Sequence, residues 1–392
     1  MKTLLLLPIS LIALYLFLSA VYQLALAIAA RYFKPVKQTQ AREVSKLVVL
    51  VPTYAENEVI LHSTKKNLTV SKPEGVEVDY LVIADQVKPS TCIQLCSMGA
   101  EVLEVKFDQS TKVKALQAAM DYLKGRNYDA AVILDADNVM ESNFLLETQS
   151  YLNTGYSLIQ GQRLAANSNS DFALLDGLSE AANTEMLCKG ANVLGFSSKL
   201  SGSAMVFDYS LFEEAIPTLK AIGGFDKELE LYFTSGEHYI QYAPELAVWD
   251  EKVASAQAFS KQRGRWLQSQ YAFLRKSFLP ALKSLKQGNV DYFHKSLQLA
   301  LPPRALAPFL LVLVVFLGIL LDNSALLMMG GVGFLSLMTS YVLSLSSQLG
   351  AARILIIAKA LPGLFLSSIR ALGWMSKAKK QFIHTKHQVV QS

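Results

Sequence analysis

The stretch "VILDADNV" (132–139) decides how the chain is read. Val132, Ile133 and Leu134 have the character of a buried strand, and they lead directly into two aspartates one residue apart. Successive side chains of an extended segment alternate between faces, so Asp135 and Asp137 fall on the same one. Carboxylates held that close repel unless a cation lies between them. Their oxygens suit a hard divalent ion, Mg²⁺ or Mn²⁺, whose open positions phosphate oxygens would fill. A solvated strand-to-loop turn can carry the same residues. The surrounding sequence has to arbitrate.

Working outward, "KLVVLVP" (46–52), "VDYLVIAD" (78–85), "AEVLEV" (100–105), "AAVILDAD" (130–137) and "SLIQG" (157–161) read as strands. Helical stretches separate them, among them 114–123, where Ala115, Leu116, Ala119, Met120 and Leu123 form one apolar stripe. That alternation predicts a parallel, doubly wound, Rossmann-like α/β domain over residues 46–270, with its ligand at the carboxyl ends of the strands. Polar clusters follow the strands at 53–58, 85–86 and 135–138. Tyr54 offers a flat ring to a nucleobase, and Asp85 offers an acceptor to the base or ribose. Lys112 and Lys114 are point charges suited to diphosphate oxygens.

With 52% hydrophobic and 18% charged residues among 392, and a positive mean hydropathy, the chain is too apolar for an ordinary soluble enzyme. Residues 1–30 exceed the roughly 20 apolar residues that cross a bilayer. Arg31, Lys34, Lys37 and Arg42 follow in a basic linker, 31–45. Basic residues after the apolar run, rather than before it, predict a retained span and not a signal peptide, with the N-terminus outside and the domain in the cytosol.

Beyond the domain, 271–300 reads as an amphipathic interfacial region. Leu274, Phe278, Leu282 and Leu285 lie opposite Arg275, Lys276, Lys283 and Lys286. Residues 304–347 read as a transmembrane hairpin turning at 322–324. The apolar stretch 351–373 contains Arg353, Lys359, Pro362 and Arg370, and burying a charge mid-bilayer costs roughly 2.5–3.5 kcal/mol. It is read as an interfacial helix rather than a further span, which keeps the basic tail, 374–392, in the cytosol. The expectation is an integral protein of the inner or plasma membrane. The formal charge of +5 lies largely beside apolar stretches, which suits anionic headgroups and the bilayer rather than nucleic acid. Cys92, Cys96 and Cys188 cannot all pair, in keeping with a reducing compartment.

"QRGRW" (262–266) places two guanidinium groups and an indole within five residues, a set suited to clamping a diphosphate and stacking on a sugar. Together with the aspartate pair, the strand-end clusters and "SGSAMVFD" (201–208), the motif order over 46–270 resembles the membrane-bound members of glycosyltransferase family 2. That group includes cellulose, chitin and hyaluronan synthases and ceramide glucosyltransferase. The resemblance implies a GT-A fold that transfers a sugar from a UDP-sugar with inversion. It assigns Tyr54, Asp85, Lys114, Asp135, Gln262 and Arg265 to the donor, Asp135 and Asp137 to the metal, and Gly202, Ser203 and Trp266 to the acceptor. Arg265 is also assigned to catalysis, through the Q-x-x-R-W pattern.

One segment departs from the family. Where a T-E-D string usually supplies the base, this chain reads "GFDKELEL" (224–231), and aligning Gly224, Phe225, Leu229 and Leu231 puts Glu228 in the aspartate's place. Asp226 and Glu230 are the other carboxylates in reach. The resemblance leaves the acceptor open between a growing polysaccharide, the reading preferred on sequence, and a membrane lipid glycosylated once. So few spans would oblige a polymer channel to form by self-association or with a partner. A silent nucleotide-sugar sensor is the reading from another class.

Overall fold

The computed structural model describes residues 2–35 and 42–378. Lys37 of the basic linker and the part of the tail beyond 378, with Lys379, Lys380, His384 and His387, lie outside the described residues. The chain opens with helix α1 (Lys2–Ala30) and enters an eight-stranded sheet of order β3-β2-β1-β4-β7-β6-β8-β5. Its first half is the predicted one. Strands β1 (Lys46–Tyr54), β2 (Glu77–Asp85), β3 (Glu101–Val105) and β4 (Ala130–Ile133) are parallel and alternate with α2 (Glu58–Asn67), α3 (Pro89–Ser97) and α4 (Lys112–Tyr122).

Both faces of this half are covered, which is why its strands are continuous apolar runs rather than alternating ones. Val48, Leu50 and Ile133 pack with Leu116 and Ala119 of α4 on one face. Leu47, Val49 and Val51 pack with Ile60 of α2 on the other. Each of these Val, Leu and Ile side chains, fully buried, contributes about 1.5–3 kcal/mol.

The second half corrects the expectation of an all-parallel sheet. After β5 (Val139–Met140), α5 (Phe144–Asn153) and β6 (Leu158–Ala165), the chain runs through α6 (Asp171–Asn183), a π-helical stretch at Thr184–Gly190 and α7 (Ala191–Val193). It then inserts β7 (Met205–Asp208) between β4 and β6, antiparallel to both. Helices α8 (Tyr209–Ala215) and α9 (Phe225–Ser235) lead to β8 (Gln241–Asp250), parallel to β6 and antiparallel to β5. β7 is short, buried and preceded by the Ser201–Ser203 turn, so it carries neither the length nor the alternation by which a strand is read. The sheet is therefore mixed, as in a GT-A domain.

Helix α10 (Ala256–Lys286) is continuous through "QRGRW" and is followed by α11 (Val290–Gln298). Phe278, Leu279, Leu282 and Leu285 are exposed along its distal half. Helices α12 (Ala307–Leu320) and α13 (Ser324–Leu345) form a hairpin against α1, joined through Asp322 and Asn323, with the Asn323 side chain accepting from the Leu326 N–H at 3.1 Å. The last helix is α14 (Ala351–Ala378). Among the described residues, Leu6–Ala30, Ser324–Leu345 and Arg353–Met375 are long and apolar enough to cross a membrane, whereas α12 has 14 residues. α14 stays beside the catalytic half along much of its length. Ile357 packs with Leu178 and Leu187, Ser260 Oγ donates to the Ser367 carbonyl at 3.0 Å, and Lys261 sits 5.3 Å from the Trp374 ring centroid.

Two glycines make these joints possible. A Cβ on Gly264 would lie 2.6 Å from Trp374 Cβ, and one on Gly190 would lie 2.2 Å from the carbonyl oxygen of Leu26 in α1. The second obstacle is backbone and cannot swing aside. Gly190→Ala should therefore destabilise the protein by about 1–3 kcal/mol, the usual cost of overpacking. Thermal unfolding in detergent would show this as a lowered midpoint, whereas an unchanged midpoint would mean that α1 does not hold the domain this closely.

Candidate active site

A cavity of about 1360 Å³ begins at the carboxyl ends of β1, β2 and β4 and reaches the membrane helices. Tyr54 and Asp85, register partners at the ends of β1 and β2, line its sheet end. Asp85 is buried, and its Oδ1 has no hydrogen-bond partner within the protein. Leaving a buried carboxylate oxygen unpaired is costly, so Asp85 is poised to accept a hydrogen bond from a ligand. The adjoining backbone is held in the left-handed region at Ala55 (φ 55°) and Gln86 (φ 56°). Non-glycine residues seldom adopt this conformation, and it recurs at ligand-gripping loops.

Asp135 and Asp137 both line the cavity. Their loop is fixed by groups that the sequence reading left aside. Asn138 is fully buried, accepts from the Asp135 N–H at 3.0 Å and donates to Asp137 Oδ1 at 3.2 Å. From α2, Ser63 Oγ donates to the Ala136 carbonyl at 2.5 Å and Asn67 Nδ2 to the Asn138 carbonyl at 2.9 Å. The Glu251 N–H donates to Asp137 Oδ2 at 3.1 Å. No group of three or more His, Cys, Asp or Glu side chains that could hold a metal occurs among the described residues. Two carboxylates offering only hard oxygen ligands fit a divalent cation whose remaining positions a diphosphate would fill.

The basic groups sort by helical geometry. Lys112 forms an ion pair with Asp135 and donates to the Gly202 carbonyl at 2.8 Å, tying the aspartate loop to the turn before β7. Lys114 stands off the cavity wall, its Nζ donating to the Gln109 carbonyl at 2.8 Å. Helix residues two apart point in different directions, so only one of the pair faces the site. Ser203, fully buried, likewise lies behind the wall, while Gly202 (φ 93°) lines it.

Behind the aspartates, Arg163 pairs with Asp250 and Glu180, and Lys252 pairs with the same two carboxylates. Burial alone would push the Arg163 guanidinium down, but Asp250 and Glu180 outweigh it and hold Arg163 well above its ordinary value. Burial opposes the ionisation of Glu180 too, yet Arg163 and Lys252 bring its carboxyl to about 2. From α10, Gln262, Arg265 and Trp266 line the cavity. Burial pushes Arg265 below its ordinary value, with the charge of Asp135 pulling the other way. Gln262 Oε1 is buried with no partner. Arg263 pairs with Asp176 at 2.5 Å and stacks 4.5 Å from the Trp266 ring centroid.

Among the acidic residues of α9, Glu228 is not at the cavity. Its Oε2 accepts from the N–H groups of Lys220 at 3.0 Å and Ala221 at 2.7 Å, holding the loop that precedes the helix. Asp226, two residues earlier, and Glu230, four residues after Asp226, share the cavity-facing side. Glu230 is buried, accepts from the Leu200 N–H at 2.7 Å and is pushed up by burial. Asp226 lies beside Lys227 at 3.3 Å and keeps access to the cavity.

A family model described as "Glycosyltransferase like family 2" matches residues 45–269, more than half of the chain. The protein belongs to glycosyltransferase family 2. No curated protein matches it. The glycosyltransferase is similar in structure to the mannosyltransferase PcManGT from Pyrobaculum calidifontis, solved with GDP-Man and Mn²⁺. The two share 13% identity with a TM-score of 0.53, over 95% of this chain and 99% of that one. Glucosyl-3-phosphoglycerate synthase from Mycobacterium tuberculosis, solved with Mn²⁺, UDP and glucosyl-3-phosphoglycerate, matches at 17% identity and a TM-score of 0.36, over 54% of this chain and 72% of that one. At these identities the first likeness shows a shared fold and nothing finer.

The placement of Glu228 in this glycosyltransferase gives a direct check. Glu228→Gln should lower stability by about 1 kcal/mol through the weakened loop hydrogen bonds, seen as a lowered thermal midpoint. An unchanged midpoint would mean that Glu228 does not hold this loop.

Proposed function

We propose that this glycosyltransferase moves a sugar, with inversion, from a UDP-sugar to a lipid acceptor that reaches the site from the membrane. One observation carries the reading: the cavity lined by Asp85, Asp135 and Asp137 is lined also by Phe309, Phe334 and Leu361 of the membrane-side helices. An apolar wall suits a hydrocarbon chain and offers little to a hydrated glycan. This favours the lipid acceptor over the polysaccharide preferred on sequence. The charged residues at the sheet end favour an enzyme over a silent sensor.

In this reading Tyr54 stacks on the base and Asp85 Oδ1 accepts from the base or ribose. A divalent cation held by Asp135 and Asp137 supplies electrostatic stabilisation to the diphosphate. Lys112 and Arg265 add positive charge where the leaving group becomes more negative, which is the larger catalytic task. Trp266 and Gly202 border the transferred sugar. Asp226 receives the proton of the acceptor hydroxyl as its oxygen bonds to the anomeric carbon, and the bond to UDP breaks with its electron pair leaving on the phosphate oxygen. The catalytic domain is cytosolic and the N-terminus outside. α14 lies at the interface, a placement favoured by its contacts with α6 and α10.

Asp226→Asn should lower transfer by about 10²–10⁴-fold, the usual worth of general base catalysis, with UDP affinity near wild type. If Glu228→Gln loses as much as Asp226→Asn while remaining folded, the assignment of the base is wrong. Asp137→Asn, or chelation by EDTA, should remove most turnover, and added Mn²⁺ should restore only the chelated wild type. Full activity in EDTA would contradict the two-carboxylate metal site.

A further inference from the structure

At its membrane end the cavity wall is apolar, built by Phe309 and Val312 of α12, Phe334 and Met338 of α13, and Leu361 and Leu364 of α14. Arg304, following Pro302 and Pro303, lines the cavity just before α12 begins. Its Nη1 donates to the Ser179 carbonyl at 3.3 Å, and its own carbonyl accepts from the Tyr341 hydroxyl at 3.4 Å. Its Nη2 is buried with no hydrogen-bond partner, and no carboxylate pairs with it among the described residues.

Arg263 converges on the same turn of α6. Its Nη2 donates to Asp176 Oδ1 at 2.5 Å and Ser179 Oγ at 3.4 Å, and its Nε is buried without a partner. Asp176 answers Arg263, so the local excess of positive charge resides on Arg304. A buried cation beside an apolar wall is costly unless an anion joins it. The donor diphosphate is the poorer candidate, since Arg163 and Arg265 are the arginines that feel Asp135, whereas the neighbours of Arg304 are Tyr341, Arg263 and Cys188.

Building on the lipid-acceptor reading, we propose that Arg304, supported by Arg263, binds the phosphate of an anionic lipid whose chains occupy the apolar end of the cavity. The unpartnered Nη2 and Nε supply the donors, and guanidinium groups match phosphate oxygens in geometry as well as charge. The acceptor is then a phosphate-bearing lipid rather than a neutral one.

The test uses the full chain in maltoside micelles and reads tryptophan quenching, since Trp266 lines the cavity. The probes are phosphatidic acid with brominated chains and diacylglycerol with the same chains. Phosphatidic acid should bind at least about tenfold more tightly, Arg304→Gln should remove most of that preference, and Arg304→Lys should keep part of it. UDP affinity should be unchanged in both variants, and millimolar inorganic phosphate should not displace the lipid. Equal binding of the two lipids to wild type overturns the headgroup proposal but leaves the channel standing. It is overturned too if Arg304→Gln keeps the preference, if inorganic phosphate binds as well as the lipid, or if the variant loses UDP affinity, which would assign the arginine to the donor. Quenching by neither lipid overturns the lipid-acceptor reading itself. Should the Gln variant fail to fold, the wild-type comparison and the Lys variant still decide.

Discussion

The repulsion between Asp135 and Asp137 is the constraint around which the catalytic half is arranged. Lys112 answers one carboxylate, while a backbone N–H and Asn138 hold the other. Behind them Arg163 and Lys252 balance Asp250 and Glu180, so the region is dense in charge yet compensated locally. Such an arrangement keeps negative oxygens turned into a cavity without unfolding the strand that carries them. The short apolar strand β4 anchors the loop, and α2 clamps it from the side through Ser63 and Asn67.

One long helix runs from the same site to an exposed apolar stripe. α10 lines the cavity with Gln262, Arg265 and Trp266, then continues with an exposed apolar stripe. Gly264 lets α14 approach α10 within this very motif, and Gly190 lets α1 meet the helical stretch after α6. The site and an exposed apolar face thus share a rigid element, which suits the proposed reaction between a soluble donor and a lipid held at the bilayer surface.

Much of this was legible in the sequence, for identifiable reasons. β1, β2 and β4 are buried on both faces and read as unbroken apolar runs, and the polar clusters at Tyr54, Asp85 and Asp135 stand where those runs stop. The antiparallel β7 was not legible, because a four-residue buried strand leaves no periodic signal. Lys114 and Glu228 stand off the cavity for one shared reason: at a helix start a motif gives the residue type, but a shift of two positions reverses the face. Lys112 and Asp226 hold the cavity side instead. Arg304 carried no motif at all and Asn138, though inside the aspartate stretch, was given no role; only the unpartnered nitrogen of the one and the hydrogen bonds of the other mark them.

The central claim is that the apolar end of the cavity delivers the acceptor. It is tested most directly by incubating the purified protein, Mn²⁺ and membrane lipid extract with a panel of radiolabelled UDP-sugars, then sorting the product into lipid-extractable and polymeric fractions. The account predicts label from one donor in the lipid fraction, released as a single sugar. Label confined to a polymeric fraction would contradict it.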